Sequence, residues 1–232
     1  MQKKRIWEVD FLRGIALILM IYFHTVFDMK EIFGYNVSYS DGLNFYVGKA
    51  SGILFIFVAG ISSFLTGSNA RRAVKILAAA IVITLVTYLY DSNLIITFGI
   101  LHFLGVGILV SFFFRRIPAV LLVVLGTAVI LVDQAIAGVT VTNNYLFMFG
   151  VSTSAFVSSD YYPLIPWFGV FLYGLAAGQV LYRNKTSIFK EPVLDRDNIM
   201  NRAGRHTLFI YFLHQPAIIV ILTLVEKIKV LF

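Results

Sequence analysis

The residues of this sequence that could do chemistry are concentrated in one long apolar stretch near its N-terminus. The segment from Asp10 to Asp28 reads DFLRGIALILMIYFHTVFD and includes Arg13 and His24 among its apolar side chains. Ionisable groups at membrane depth are costly unless they face protein or water, so they are candidates for function. In an α-helix, Arg13 and His24 lie on one face, about 16 Å apart along the axis. That face combines a permanent cation near one membrane surface with a titratable imidazole deeper in the membrane.

Two carboxylates accompany these residues at helical spacing. Asp28 follows His24 by four residues and lies on the same face, where it could fix the imidazole tautomer and raise its basicity. A solvated carboxylate at the outer end of the helix explains Asp28 equally well. Asp10 precedes Arg13 by three residues, which allows an ion pair at the inner interface. The functional alternative is an anion site in which Arg13 offers its planar guanidinium to phosphate.

Two more histidines are predicted to reach a similar depth in other helices. His102 lies in the fourth apolar stretch of the chain, and His214 lies in the middle of the seventh, within FLHQP. One buried histidine is commonly a satisfied core residue, but three in three helices indicate a shared polar cavity. The catalytic candidates are therefore His24, Asp28, His102 and His214. The histidine spacing does not match that of metal sites, and we expect no metal.

The composition assigns the chain to a class of protein. Of its 232 residues, 59% are hydrophobic and 13% are charged, and its mean hydropathy is +0.86. These values are typical of an all-α, polytopic integral membrane protein. The absence of cysteine excludes disulfides, thiolate nucleophiles and cysteine-ligated metals. Apolar runs predict about seven transmembrane helices in a single domain, 1–232. These runs cover 11–29, 49–66, 73–90, 95–114, 118–137, 164–182 and 205–226.

The distribution of lysine and arginine predicts the orientation of these helices. Fifteen of the nineteen basic residues fall in the N-terminal segment and in the loops after the second, fourth and sixth spans. By the positive-inside rule, the N-terminus is cytoplasmic and the C-terminus lies outside. No cleavage site follows the basic N-terminal segment, so we expect 10–29 to be a retained first helix. Residues 138–163 are rich in Thr, Ser and Asn, and we interpret them as an outer loop, either re-entrant or lying on the membrane surface.

An aromatic segment, SDYYPLIPW, leads from this outer loop into the sixth span. Aromatic side chains at such a position are typical of the belt at a membrane interface. The functional alternative is the lip of a substrate site, where aromatic faces and one carboxylate meet a polar acceptor. The residues of this candidate substrate-binding set are Asp160, Tyr161, Tyr162 and Trp167.

Five motifs, in order, resemble those of a known family. They are DFLRGIALILMIYFHTVFD, LFIFVAGISS, GILHFLGVGIL, DYYPLIPWFGVFLYGLAAG and GRHTLFIYFLHQP, and they extend over nearly the whole chain. The chain is similar to the small bacterial membrane proteins grouped with the heparan-α-glucosaminide N-acetyltransferase catalytic domain. Its first motif also resembles the signature of the acyltransferase-3 family of membrane O-acetylases. In that signature ten residues separate an arginine from a histidine, and Arg13 and His24 match it.

The resemblance implies an enzyme that transfers an acetyl group from cytoplasmic acetyl-CoA to a sugar-type acceptor, through an amino or hydroxyl group, at or beyond the outer face. It implies His24 as the catalytic histidine, acting as general base or acyl carrier, and Arg13 as part of the donor path. Basic residues at the inner surface could bind the phosphates of CoA. This donor-binding set is Arg13, Arg71, Arg72, Arg115 and Arg116.

The expected partners follow from the same resemblance. They are acetyl-CoA, a sugar or glycan-type acceptor and the lipid bilayer, with no nucleic acid, and a homodimer is left open. The expected location is a bacterial or archaeal cell membrane, in which the chain is a multi-pass protein.

Two other classes of function fit the same residues. A chain of buried histidines and aspartates would also serve a proton-coupled transporter, although the sequence has no inverted repeat and no paired interrupted helices. The other alternative is a non-catalytic membrane protein that binds acyl-CoA or lipid. Binding of CoA separates the transporter from the other two, and acetyl transfer separates the enzyme from the binding protein.

Overall fold

The helices of the protein follow the predicted apolar stretches closely. The computed structural model describes residues 5–66, 69–189 and 198–231, and over those residues it contains eight α-helices, two short 3-10 helices and no named β-strand. The α-helices are α1 Trp7–Glu31, α2 Gly42–Leu65, α3 Asn69–Tyr90, α4 Ile100–Phe114, α5 Ala119–Ile136, α6 Leu164–Leu181, α7 Ile199–Arg205 and α8 Thr207–Leu231. Parts of two predicted basic segments, Lys3, Lys4, Lys190 and Arg196, lie outside the described residues.

Most of these helices are long and apolar enough to cross a membrane. Six meet that criterion in the described chain: α1, α2, α3, α5, α6 and α8. The fourth predicted span, 95–114, is helical only from Ile100 onward, so α4 is an apolar helix of 15 residues. The prediction of an all-α, multi-pass membrane protein is confirmed. The orientation of the helices with respect to the cytoplasm stays a prediction.

The chain divides into two compact units. The first comprises the described parts of 1–55 and 186–232, and the second comprises those of 56–185. Helix α2 therefore contributes residues 42–55 to the first unit and 56–65 to the second. The single domain over 1–232 that the apolar runs predict stays a prediction.

In the first unit, α1 packs against α2, α7 and α8. Ser51 of α2 donates a hydrogen bond to the Ala16 carbonyl (3.0 Å), and α7 approaches α1 at two glycines. A Cβ atom at Gly14 would collide with the backbone of Met200, and one at Gly204 would collide with the carbonyl oxygen of Asp10. Small residues allow helix backbones to approach this closely in a membrane.

The segment that follows α1 is attached to the far end of α8. The Tyr35 hydroxyl donates to Glu226, and the Lys229 ammonium donates to Tyr35. Glu226 and Lys229 also form an ion pair of 3.0 Å. These contacts hold α1 and α8 side by side. Residues near the end of α8 meet Tyr35, which follows the end of α1.

In the second unit, α3 packs on α4, and α5 packs on α6. The backbone of α6 touches that of α2, because a Cβ at Gly174 would collide with the Phe57 carbonyl. Gly126 and Gly169 face each other's carbonyl oxygens at the contact of α5 with α6. A Cβ at Gly107, by contrast, would meet only ordinary van der Waals contacts.

One end of the second unit is basic. Arg115, after α4, donates to the carbonyl of Thr66 after α2 (3.0 Å), and Gln179 near the end of α6 donates to the Ile117 carbonyl (2.9 Å). All seven basic residues of 56–185 lie at this end or within two turns of it, and the three acidic residues of this range lie toward the other end. The loops that the sequence assigns to one membrane side thus meet at one end of this unit.

The segment 138–163 contains no helix of spanning length, which agrees with its interpretation as a loop. Its only helical turn is the 3-10 helix Phe147–Phe149. Thr140 and Ser152 form an isolated bridge, and a second bridge joins Tyr161 to Phe98. The loop therefore folds back on the connection between α3 and α4.

Candidate active site

Two of the predicted catalytic histidines face each other within the first unit. The ring of His24 on α1 lies with its centroid 4.9 Å from that of His214 on α8, at an interplanar angle of 59°. Phe23 and Phe27, the aromatic neighbours of His24 on α1, pack edge-on against its ring. The half-buried imidazole of His24 and the buried imidazole of His214 thus pack against each other on two helices of spanning length.

The tautomer of His214 is defined by its hydrogen bond. Its Nδ1 atom lies 2.5 Å from the carbonyl oxygen of Tyr211, one turn earlier in α8. A carbonyl can only accept, so Nδ1 carries the proton, and the Nε2 atom of the neutral ring keeps its lone pair. His214 is buried, and its Nε2 forms no hydrogen bond with the residues that the structure describes. This atom is therefore equipped to accept a proton.

Asp28 is buried and bonded to a residue that the sequence did not single out. Its side chain is fully buried, so the carboxyl group is not solvated at the helix end. Its Oδ1 accepts a hydrogen bond of 2.6 Å from the Nε2 of Gln215. The predicted orienting bond from Asp28 to His24 is not among the hydrogen bonds of the described residues. Asp28 instead connects α1 to α8 through Gln215.

Gln215 was missed because a neutral amide carries no charge signal in a sequence. Its position between His214 and Pro216, in FLHQP, was the available indication. Pro216 has no N–H and cannot bond to the carbonyl four residues earlier, but α8 continues through it as one helix. The missing backbone bond therefore does not interrupt the helix that holds His214 and Gln215.

Arg13 forms the ion pair that was one of its two predicted interpretations. Its Nη1 donates to Asp10 Oδ1 at 2.7 Å, and Arg5 Nη1 lies 3.9 Å from Asp10 Oδ2. Asp10 is buried, whereas the Arg13 side chain is 25% exposed. Helix α1 is continuous from Trp7 to Glu31, so the predicted spacing of Arg13 and His24 on one helix is confirmed. A role of Arg13 in binding phosphate stays a prediction.

His102 lies in the second unit, where both of its ring nitrogens are occupied. The Gly99 N–H lies 3.3 Å from Nδ1, which accepts it. Nε2 lies 3.3 Å from the Thr84 hydroxyl, which itself donates to the Ile96 carbonyl (2.6 Å). The ring stacks on Phe98. These contacts give His102 a local role at the start of α4, and its membership of a three-histidine cavity stays a prediction.

Asp160 occupies the N-terminus of α4. Its Oδ2 accepts a hydrogen bond of 2.9 Å from the N–H of Ile100, the first residue of that helix. Gly99 is required beside it, because a Cβ there would collide with Oδ2 of Asp160. Burial raises the pKa of Asp160 to about 6, and the bond from Ile100 opposes that rise. A carboxylate at a helix N-terminus satisfies a backbone donor and interacts favourably with the helix dipole.

The other residues of the candidate substrate-binding set lie near Asp160. The Tyr161 hydroxyl donates to the Phe147 carbonyl at 2.5 Å, and the rings of Tyr162 and Trp167 lie 4.9 Å apart. Burial raises the pKa of Tyr161, and burial together with the charge of Asp160 raises the pKa of Tyr162. The structure thus brings the four residues to one region, and a role in binding an acceptor stays a prediction.

The remaining basic candidates all lie at the basic end of the second unit. Arg71 and Arg116 are exposed, and Arg72 is half-buried. Arg115 donates to backbone carbonyls at the end of α2, of which that of Thr66 is the nearer. Arg115 therefore satisfies carbonyls that a helix end leaves without partners, whereas the side chains of Arg71 and Arg116 are exposed.

Among the described residues, no group of three or more histidine and acidic side chains is close enough together to hold a metal ion. The expectation that the protein binds no metal stays a prediction. The histidine pair of the first unit offers two imidazoles, and the carboxyl group of Asp28, four residues after His24, is bonded to Gln215.

The sequence matches the family model described as Heparan-alpha-glucosaminide N-acetyltransferase, catalytic, over residues 5–216. The chain belongs to this family. The match includes His24, Asp28, His214 and Gln215, so the histidine pair and its neighbours lie within the catalytic-domain model. No curated protein and no solved structure matches the chain. The predicted family is confirmed, and the chain is a multi-pass membrane protein of an acetyltransferase family.

Proposed function

We propose that this protein moves an acetyl group from cytoplasmic acetyl-CoA to a sugar-type acceptor, with an amino or hydroxyl group, at or beyond the outer face of a bacterial or archaeal cell membrane. The observation that carries the proposal is the contact of His24 with His214, at 4.9 Å between ring centroids. A half-buried imidazole, that of His24, and a buried one, that of His214, can supply a base and a nucleophile for acyl transfer. The family match favours that chemistry.

His214 is the proposed general base. Its Nδ1–H is held by the Tyr211 carbonyl, which directs the lone pair of Nε2 away from that bond. In direct transfer, Nε2 removes a proton from the acceptor while the acceptor attacks the thioester carbonyl carbon. The new C–N or C–O bond forms, the C–S bond breaks, and CoA leaves as a thiolate that is then protonated. General base catalysis of this kind contributes about 10²- to 10⁴-fold in rate.

His24 supports a second route through an acyl-enzyme. In that route a ring nitrogen of His24 attacks the thioester, the C–S bond breaks, and an acetyl-imidazole forms. The acceptor then attacks the acetyl carbon, with its proton taken by His214, and the C–N bond to His24 breaks. Each route requires an imidazole beside the reacting carbonyl carbon. With the two rings in contact, His214 can act as base in both routes, and His24 can carry the acetyl group in the second.

We propose that the phosphates of the donor bind near Arg13, toward the start of α1. Arg13 lies about 16 Å along α1 from His24, a distance that the extended pantetheine arm of CoA can cover. Arginine offers a planar pair of donors to phosphate oxygens, and Arg5 lies beside the same Asp10. In the second unit the exposed Arg71 and Arg116 are further candidates for phosphate contact.

The test uses the purified protein and acetyl-CoA labelled in the acetyl group. Transfer of label to one or more amino sugars, with release of CoA, is the expected result. Label retained on the protein in the absence of acceptor, and lost in the His24→Ala variant, selects the acyl-enzyme route. If acetyl-CoA binds but no acetyl group is transferred, the protein is a non-catalytic acyl-CoA binder. If acetyl-CoA does not bind, a proton-coupled carrier becomes the better hypothesis.

A further inference from the structure

We propose that Asp28 and Gln215 are positioning residues for the histidine pair. Their hydrogen bond sets the register and the rotation of α8 on α1, and with them the distance between His24 and His214. This role rests on the proposed function, in which the two imidazoles act together. It requires no contact of Asp28 or Gln215 with substrate or with the acetyl group.

The two imidazoles are not held together by a hydrogen bond of their own. Nδ1 of His214 lies 2.5 Å from the Tyr211 carbonyl oxygen of the same helix, so this ring is fixed to α8. Nε2 of His214 forms no hydrogen bond with the residues that the structure describes. The distance between the rings of His24 and His214 is therefore determined by where α8 lies on α1.

The bond between Asp28 and Gln215 joins the two helices beside this pair. Gln215 Nε2 donates to Asp28 Oδ1 at 2.6 Å. Gln215 directly follows His214 in α8, and Asp28 lies one turn after His24 in α1. Asp28 is 0% exposed, and a hydrogen bond that is shielded from water is stronger than one at a surface. The bond therefore holds α8 at one height along α1.

The same bond also defines the rotation of α8. Successive residues of an α-helix are about 100° apart around its axis, so His214 and Gln215 meet α1 from two directions. One meets it by ring packing and the other by a hydrogen bond. Pro216, the next residue, has no N–H to donate to its own helix. The side-chain bond of Gln215 thus supports α8 where its backbone lacks one bond.

A buried polar pair specifies a geometry more than it adds stability. Burial of a carboxyl group is costly, and apolar residues of similar volume are often as stable in its place. A single buried polar residue between packed helices can fix their register at a cost in stability. Asp28 and Gln215 have this character, and the geometry that they fix includes the contact of the two imidazoles.

The experiment measures the ring contact apart from acetyl transfer. Full-length protein with isotopically labelled histidine is studied by solid-state NMR in lipid bilayers, where a cross-peak between two imidazole rings that disappears in His24→Ala reports the contact. The kcat, the KM for acetyl-CoA and the melting temperature are measured in parallel. Gln215→Met breaks the bond, whereas Asp28→Asn keeps an oxygen that accepts from Gln215 and removes the charge. Tyr35→Phe is the matched control, because it removes a bond to Glu226 farther along α8.

We expect Gln215→Met to lose the cross-peak and to lower kcat by about 10²-fold, the cost of a small misplacement of a reacting group, with the KM for acetyl-CoA unchanged. Asp28→Asn should keep the cross-peak and lose much less of kcat. Tyr35→Phe should lower the melting temperature and keep the cross-peak and kcat of the wild type.

A second variant separates position from stability, because Gln215→Met leaves a buried carboxyl group without its donor. In Asp28→Leu/Gln215→Met both polar groups are absent, and the melting temperature should recover, since replacing both partners by apolar groups is nearly neutral. The cross-peak and kcat should stay low in this double variant. Recovery of all three quantities would overturn the positioning role and leave a bond that serves packing alone.

Three other outcomes would overturn the positioning role. They are a wild-type protein without the cross-peak, a Gln215→Met variant that keeps it in full, and an Asp28→Asn variant that keeps it but loses as much kcat as Gln215→Met. The last of these would assign the effect to the charge of Asp28. If the wild type transfers no acetyl group, the proposed function fails, and the dependence of the cross-peak on Gln215 still decides whether the bond positions the pair.

Discussion

His24 and His214, from opposite ends of the chain, bring their ring centroids to 4.9 Å from each other. Helices α1 and α8 are both long and apolar enough to cross a membrane, and His214 is buried. In the proposed reaction, one ring acts on the acceptor while the other faces the acyl group. The pair is the part of the molecule whose chemistry can be tested most directly.

The first prediction concerns this pair. His24→Ala and His214→Ala should each lower acetyl transfer by about 10²- to 10⁴-fold, because each removes a base or nucleophile, with the affinity for CoA unchanged. Turnover with labelled acetyl-CoA and the Kd for CoA are measured separately. His206→Ala is the matched control, since His206 is exposed in the same unit. Full turnover in both pair variants would contradict the mechanism.

The second prediction separates His102 from the pair. His102→Ala removes the acceptor of the Gly99 N–H and the partner of Thr84. The loss of such a bond inside a protein costs about 1–3 kcal/mol, so the melting temperature should fall. Transfer by the folded variant should fall much less than the ~10²-fold expected for loss of a general base. A variant with normal melting and abolished transfer would instead make His102 catalytic.

The apolar pattern was sufficient to predict most of the helices but not the start of α4. The predicted span began at 95, because Ile95, Ile96 and Phe98 continue the apolar run. In the structure, backbone groups of this segment bond to residues of the segment 138–163, as when the Ser159 N–H donates to the Ile95 carbonyl. Asp160 then supplies the acceptor at the helix start. Such long-range bonds leave no trace in local periodicity.

The candidate site was predictable in its charged and titratable members only. His24 and His214 were identified because imidazoles at membrane depth are unusual, and their contact agrees with the expectation that both reach a similar depth. Gln215 was not identified, because an amide near a helix middle has many bland explanations. Its significance comes from its bond to Asp28, which the chain brings together only through the packing of α1 on α8.

The third prediction concerns pH. The pKa of Asp160 is raised by burial from 3.8 to about 6, so between these values the folded protein binds a proton that the unfolded chain has released. The stability that this provides is present in full below pH 3.8 and is lost as the pH rises through about 6. In Asp160→Asn this fall should disappear, because the amide does not titrate and its oxygen can still accept from Ile100.

The measurement is the melting temperature of both proteins from pH 4 to pH 7. Asp133→Asn is the control for removal of a carboxylate from the same unit, and it should keep the pH dependence of the wild type. His102, Tyr161 and Tyr162 are the other titratable groups near Asp160, and they are unchanged in all three proteins. A profile of Asp160→Asn that follows the wild type between pH 4 and pH 6 would refute the assignment.

The fourth prediction concerns helix packing. Gly204→Ala should destabilise the protein, because its Cβ would collide with the carbonyl oxygen of Asp10, an atom of a helix backbone that cannot move aside alone. Overpacking of this kind costs typically about 1–3 kcal/mol. Gly107→Ala is the control, since its Cβ would find only ordinary contacts, and alanine favours a helix by roughly 0.5–1 kcal/mol. Thermal unfolding of the two variants should shift in opposite directions; equal shifts would contradict the close approach of α7 to α1.

The fifth prediction concerns the donor path. Arg13→Ala should weaken CoA binding by about 10- to 100-fold, because a guanidinium–phosphate contact contributes about 1.5–3 kcal/mol. Lys30→Ala is the control, since Lys30 is exposed at the opposite end of the same helix. The loss should be smaller at high salt, where phosphate contacts are screened.

Arg13 also neutralises the buried Asp10, so its removal can act through stability alone. The double variant Asp10→Asn/Arg13→Gln removes both charges of the pair and should recover the melting temperature that Arg13→Ala loses. If Arg13 binds the donor, this double variant still binds CoA weakly. If CoA affinity recovers together with the melting temperature, Arg13 serves only to neutralise Asp10, and the phosphate contact must be sought elsewhere. Weak CoA binding at wild-type stability would therefore identify Arg13 as part of the donor site.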